Sequence, residues 1–188
     1  MTMKRTWLPA LCALLWTSCG VPSISPVASA ARKGDVETIA SLAKAGQSLD
    51  EPSGVNGWTP LMHAIHTNKL QSVEALLKAG ADANRSCCRG LTPLILASGN
   101  GQQEIVRLLL QRGADAMLKG DDGRTALDVA IMGLSHMEGA PMGACHPGAA
   151  KELLEAAPRL RDTVRIGRVV EALHKCPEIE KLLAAPSR

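Results

Sequence analysis

Apolar residues recur along this chain in short bursts at helical spacing. Val73, Leu76 and Leu77 form one stripe at i, i+3, i+4, and Val106, Leu109 and Leu110 form a second in the same phase. Each stripe is followed by a glycine, Gly80 or Gly113, placed where a helix ends most easily in a left-handed residue. Ahead of each stripe stands a second helical segment with its own start signal. Thr59 and Thr92 are placed to accept an orphan backbone N–H as N-caps, and Pro60 and Pro93 suit the first helical position, where no N–H is needed. Ala64 and Ala97 leave room for a partner helix to approach closely. The pattern predicts antiparallel pairs of short helices separated by polar loops of about ten residues.

The pairs repeat. Gly57-Trp58-Thr59-Pro60-Leu61 returns as Gly90-Leu91-Thr92-Pro93-Leu94 and as Gly123-Arg124-Thr125-Ala126-Leu127, with a spacing of 33 residues both times. Ala64, Ala97 and Ala130 keep that phase, and Gly80-Ala81-Asp82 returns as Gly113-Ala114-Asp115. These markers resemble the ankyrin repeat, whose pattern runs G-x-T-P-L-H-x-A, then V-x-x-L-L, then G-A-D. The resemblance implies an all-α repeat fold, an ankyrin-type solenoid of helix-turn-helix units joined by hairpin loops. About four repeats are expected over residues 26–157. An earlier unit is visible in Ala30-Ala31-Arg32-Lys33-Gly34-Asp35, followed by Ile39, Leu42 and Gly46. A single unit cannot bury its stripe, so stability must come from stacking neighbours.

The sequence departs from the repeat in three places. The His that follows T-P-L in the family is Met62, Ile95 and Asp128 here, so apolar packing is expected where that His would hydrogen-bond. His63, one place later, has no second ligand at a fitting helical spacing and is a weak metal candidate. About eleven residues are inserted within 133–148, a stretch rich in Gly, Pro and Met that reads as a loop. Beyond Pro158, segments 164–173 and 178–183 read as two more helices, so 158–188 is expected to cap the solenoid as a degenerate fifth repeat.

The N-terminus reads as an address. Lys4 and Arg5 precede a ten-residue apolar run over 7–16, too short to span a bilayer as a helix. Two processing sites compete. Ala28-Ser29-Ala30 is an A-x-A pattern, and Leu15-Trp16-Thr17-Ser18-Cys19-Gly20 resembles a bacterial lipoprotein signal, with Leu15 one place further from the cysteine than usual. Cys19 follows the apolar run closely, whereas cutting after Ala30 would sever the first helix. The expectation is a signal peptide over 1–18, lipidation at Cys19, a tether over 19–25 and a place in the bacterial cell envelope facing the periplasm. A soluble periplasmic or secreted form is the alternative.

Composition narrows the function. The chain has 188 residues, no Phe, no Tyr and three Trp, which removes the aromatic platforms on which single-stranded nucleic acids stack. Its 21 basic residues include Lys4 and Arg5; without those two the bases nearly balance the 18 acids, leaving no electrostatic footprint for nucleic acid. Membrane association is expected only through the lipid. No nucleophile elbow, P-loop, zincin or dinucleotide motif is present. The paired acids Asp121 and Asp122 sit on a loop tip open to water, and Cys145-His146 adjacency alone does not set a base against a thiolate. No enzyme activity and no cofactor are expected.

Four cysteines lie in the body of the chain. Cys145 and Cys176 are candidates for a disulfide that staples the inserted loop to the cap. A zinc site from Cys87, Cys88, Cys145 and His146 lacks C-x-x-C spacing, and free thiols are the other alternative. In the ankyrin family the ligand usually lies along hairpin tips and first helices. The resemblance therefore implies Val55, Asn56, Trp58, His66 and Thr67 as protein-binding residues in one unit, Cys88, Arg89, Leu91 and Asn100 in the next, and Asp121, Asp122 and Arg124 in the third. Trp58 is the expected anchor of binding energy, with packing against the long first loop as the other reading. The function expected is a monomeric, non-catalytic scaffold for an unidentified protein. An immunity-type inhibitor of a toxin or enzyme, and a redox- or metal-responsive protein using Cys87, Cys88, Cys145 and Cys176, are the alternatives.

Overall fold

The computed structural model describes residues 23–132, 145–163 and 176–184. The inserted stretch over 133–144, the expected helix over 164–173, Cys19 and the signal segment lie outside the described residues. Among the described residues ten α-helices follow one another: α1 (Pro26–Lys33), α2 (Val36–Lys44), α3 (Pro60–His66), α4 (Leu70–Lys78), α5 (Pro93–Gly99), α6 (Gln103–Gln111), α7 (Ala126–Met132), α8 (Pro147–Ala156), α9 (Leu160–Thr163) and α10 (Pro177–Ala184). Among the described residues, extended pairing is limited to two isolated bridges, Ser53 with Trp58 and Lys119 with Thr125, each closing a hairpin.

Helix starts obey local chemistry. Thr59 Oγ1 accepts the Met62 N–H at 3.3 Å and Thr92 Oγ1 accepts the Ile95 N–H at 3.2 Å, with Pro60 and Pro93 at the first helical turn. The same device opens α1, where Ser25 caps Ala28 N at 3.2 Å and Pro26 follows. Within each of the first three pairs the turn needs one left-handed residue. Gly34 (φ 85°) and Gly101 (φ 67°) supply it in two of them. Asn68 (φ 53°) supplies it in the other, and Asn tolerates this region better than most side-chain-bearing residues.

The helices form two layers. α1, α3, α5 and α7 stack as an inner row, α2, α4, α6 and α8 as an outer row, and each inner helix packs on its outer partner. Ala64, Ala97 and Ala130 are fully buried, as are Val73, Leu76, Val106 and Leu109 of the predicted stripes. Met62 and Ile95, standing where the family has His, are buried apolar residues. In the last inner helix Asp128 occupies that position and does something different. Its Oδ2 accepts both the Thr125 N–H and the Thr125 hydroxyl at 2.8 Å, and its own N–H bonds back to Thr125 Oγ1 at 3.3 Å. This is a capping box with Asp in the usual Glu position.

Past the fourth inner helix, α8 begins at Pro147, two residues earlier than a loop through 148 allows, and buries Ala149, Ala150, Leu153 and Leu154. Arg107 of α6 makes two hydrogen bonds to Glu152 of α8, at 2.7 and 3.0 Å. Cys145 and Cys176 are joined in a disulfide, Cα–Cα 6.0 Å, which ties the start of α8 to the start of α10. The Ile179 side chain of α10 is fully buried in the same core.

Candidate functional site

Three hairpin loops project from the inner row, and their tips are bonded to one another. The Cys88 thiol donates to the Asn56 carbonyl at 3.1 Å, and the Asp121 N–H donates to the Arg89 carbonyl at 3.0 Å. The middle tip is a 3-10 turn over Cys88–Gly90 in which Arg89 is left-handed (φ 60°). Gly90 is φ +66°, and a Cβ there would fall within 3 Å of the Asp121 backbone nitrogen, so a glycine is what lets the third tip close against the second. The result is a continuous edge: Asn56, Cys88, Arg89 and Asp121 are all exposed and held in sequence across three units.

The loop bases are tied in the same way. Asp50 Oδ1 accepts the Asp82 N–H at 3.0 Å, and Asn84 Oδ1 accepts the Asp115 N–H at 2.8 Å while its amide donates to the Gly113 carbonyl at 3.0 Å. The Gln102 amide donates to the Ile65 carbonyl at 2.7 Å across the inner row. These bonds leap from 29 to 37 residues along the chain, roughly one repeat. They fix each unit relative to the next, so the tips are presented by a rigid frame.

Electrostatics on the edge is mixed. Asp122 pairs with Arg124, whose Nε bonds Asp122 Oδ2 at 2.6 Å. Partial burial pushes the Asp122 carboxyl up, but the Arg124 bonds and charge outweigh it and hold it below its ordinary value. Asp121 and Asp122 thus form a solvated acidic tip beside the exposed Arg89. Val55, 81% exposed, is the largest apolar contribution at the first tip.

The expected anchor does not stand on this edge. Trp58 is only 5% exposed and belongs to the core. Its indole lies edge-on to His63 (centroids 5.6 Å) and to the exposed His66 (4.9 Å). Trp58 immediately precedes the Thr59 cap and His63 is the fourth helical residue, so the pair occupies the positions of a hydrophobic staple that fixes how the loop enters α3. Packing wins over binding because the large ring removes far more apolar area from water when folded under the loop than when left on the surface. The Thr67 hydroxyl is likewise engaged, donating to the His63 carbonyl at 3.0 Å. Leu91, Asn100 and Arg124 are half-buried at the margin of the edge.

His63 is structural. Its Nε2 lies 3.3 Å from the Ser53 carbonyl, and burial pulls its imidazole below the ordinary value, partly opposed by that bond. His146 packs over Gly101, where a Cβ would strike its ring. With Cys145 in a disulfide, the Cys87, Cys88, Cys145 and His146 zinc set is not assembled, and among the described residues no group of three or more His, Cys, Asp or Glu converges.

Sequence reasoning missed two contributors. Asn84 bridges two loops, and the only hint is its place two residues after Gly80-Ala81-Asp82, inside the polar loop. Asp128 was legible as a departure from the family but not as a cap.

A family model described as ankyrin repeats in three copies matches residues 9–87, 27–120 and 80–162. A stretch of 62 residues, 33% of the chain, is 40% identical to Inversin of Gallus gallus, and the chain spans 6% of that protein's length.

Proposed function

The chain belongs to the ankyrin-repeat family, and from that premise we propose that it is an exported, lipid-anchored scaffold that binds another protein along its hairpin-tip edge. Proteins of this family are generally non-catalytic interaction scaffolds. The observation that carries the reading here is the pair of tip-to-tip bonds, Cys88 to Asn56 and Asp121 to Arg89, which present one pre-set surface. A surface already ordered in the free protein loses little conformational entropy on binding. Its chemistry is an exposed Val55, an amide, a guanidinium and two carboxylates, which suits a partner surface of mixed polarity.

The packing of α1 supports the anchor. Val27, Ala28, Ala30 and Ala31 of α1 are buried, so processing after Ala30 would split a packed helix. The Ser23 carbonyl already accepts the Gly54 N–H at 3.3 Å. In a mature chain beginning at lipidated Cys19, the four residues before Ser23 can reach at most about 14 Å. The described chain starts beside the first hairpin, where Ile24 and Val55 are two of the exposed large apolar residues. Several acyl chains on one cysteine would hold the protein stably, at about 0.8 kcal/mol per buried CH₂. Among the described residues no helix is long and apolar enough to cross a membrane.

Fractionation of expressing bacteria tests the anchor: the wild-type chain is expected in the membrane fraction and Cys19→Ala in the soluble one, and equal distribution overturns it. Affinity capture from the envelope tests the edge. The joint variant Asn56→Ala, Arg89→Ala, Asp121→Ala is expected to lose the captured partner while keeping its thermal melt, and undiminished capture overturns the edge.

A further inference from the structure

Among the described residues two thiols remain outside the disulfide. Cys87 is half-buried, Cys88 is exposed, and both are free. Their sulfurs lie 3.3 Å apart. The loop sets that spacing: the Cys87 N–H bonds the Leu91 carbonyl at 3.0 Å, the Gly90 N–H bonds the Cys87 carbonyl at 3.1 Å, and the Leu91 N–H bonds the Cys88 carbonyl at 3.3 Å. Cys87 is braced against the core and Cys88 against the Asn56 carbonyl.

Three fates of such a pair can be compared. A bond between the two sulfurs is strained, because adjacent Cα atoms are about 3.8 Å apart, below the roughly 4.4 Å at which disulfides ordinarily begin. A structural zinc needs four ligands, and the described residues offer no third or fourth. A linear two-coordinate ion places its sulfurs on opposite sides of itself, farther apart than these. A pyramidal trivalent centre, with bond angles near a right angle, takes two sulfurs on one side at close spacing, and soft thiols favour a thiophilic centre.

We propose that Cys87 and Cys88 form a two-thiol chelating site for a trivalent metalloid of the arsenic(III) type. With an arsenic(III) oxide, R–As=O, two S–H bonds and the As–O linkage break and two As–S bonds form. Both thiol protons leave with the oxygen as one water, and arsenic stays trivalent, so no oxidant or reductant is consumed. Burial, with the Cys88 hydrogen bond second, pushes the Cys87 thiol up to about 12. The site does not depend on the protein-binding reading.

Phenylarsine oxide is the probe, added at one equivalent to the full-length chain with its disulfide intact and followed by intact-mass spectrometry. One adduct per chain is expected. It should map to the peptide carrying Cys87 and Cys88, survive excess cysteine and be removed by 2,3-dimercaptopropanol. Cys88→Ser, at an exposed position, should keep the wild-type melt and bind about a hundredfold more weakly, since the gain from a second linked site is lost; Cys87→Ser should weaken binding to the same extent. No adduct on the wild-type chain, an adduct undiminished in Cys88→Ser, or failure of both thiols to react with maleimide in the unreduced protein each overturns the proposal.

Discussion

The indole of Trp58 stands edge-on to the His66 ring with centroids 4.9 Å apart, and it is the buried member of the pair. A residue that looked on sequence like a partner's anchor is thus part of the frame that holds the first hairpin. Trp58→Ala is expected to cost about 3 kcal/mol in urea unfolding, as large-to-small core changes do. A partner's affinity should fall only as far as the fold is lost. An unchanged unfolding midpoint together with lost binding would restore the anchor reading.

The pH dependence of stability follows from two imidazoles. His63 and His146 are both held below their ordinary 6.5, in each case chiefly by burial, with backbone bonds to Ser53 and Gly99 opposing it. The unfolded chain therefore binds more protons than the folded one in the window below pH 6.5. Stability is full above that value and declines as pH falls through the window. Thermal melts between about pH 7.5 and about 5 should show this slope, above the range where Glu152 titrates. His63→Gln should flatten it, and a slope unaltered by that change would remove His63 from the account.

Asp128 should matter more than its departure from the family pattern suggests. Asp128→Ala strips a buried Thr125 N–H of its acceptor and is expected to cost about 2 kcal/mol. Asp128→Asn keeps one acceptor oxygen and should cost visibly less. Equal losses in the two variants, measured by denaturant unfolding, would mean that the carboxamide cannot cap α7.

The disulfide of Cys145 and Cys176 closes a sequence separation of 31 residues. Cross-linking a loop of that size restricts the unfolded chain and contributes about 3 to 4 kcal/mol in the loop-entropy picture. Reduction should therefore lower the melting temperature and expose the amides of α10 to hydrogen exchange first, since its packing is chiefly on α8. Protection of α10 that is indifferent to reductant would show that Ile179 and its neighbours suffice.

The repeat was legible because its physics is local. A threonine cap, a proline in the first turn, an apolar stripe and a terminal glycine each act within a few residues, and their recurrence at 33 residues marks the units. The edge was legible only as a set of family positions. The bonds that make it continuous join residues about one repeat apart: Asp121 to Arg89 uses only backbone groups that every residue carries, and the Cys88 thiol meets a backbone carbonyl of Asn56 whose side chain plays no part. Side-chain identity at Arg89, Asp121 and Asn56 therefore announces neither bond. Trp58 was misplaced for a related reason: hydrophobic size fits both an anchor and a staple, and only its offset of one before Thr59, facing His63 as the fourth helical residue, distinguishes them.

The central claim is that a partner protein lies along the hairpin tips. Site-specific photo-crosslinking from the anchored protein in intact cells tests it most directly, with the crosslinker placed in turn at Val55, Arg89 and Asp121 and, as controls, at the exposed outer-row residues Lys44, Lys78 and Glu104. All three tip positions should capture the same protein, and the outer-row positions should capture none of it. Capture of a common partner from the outer row, with silence at the tips, would contradict the account.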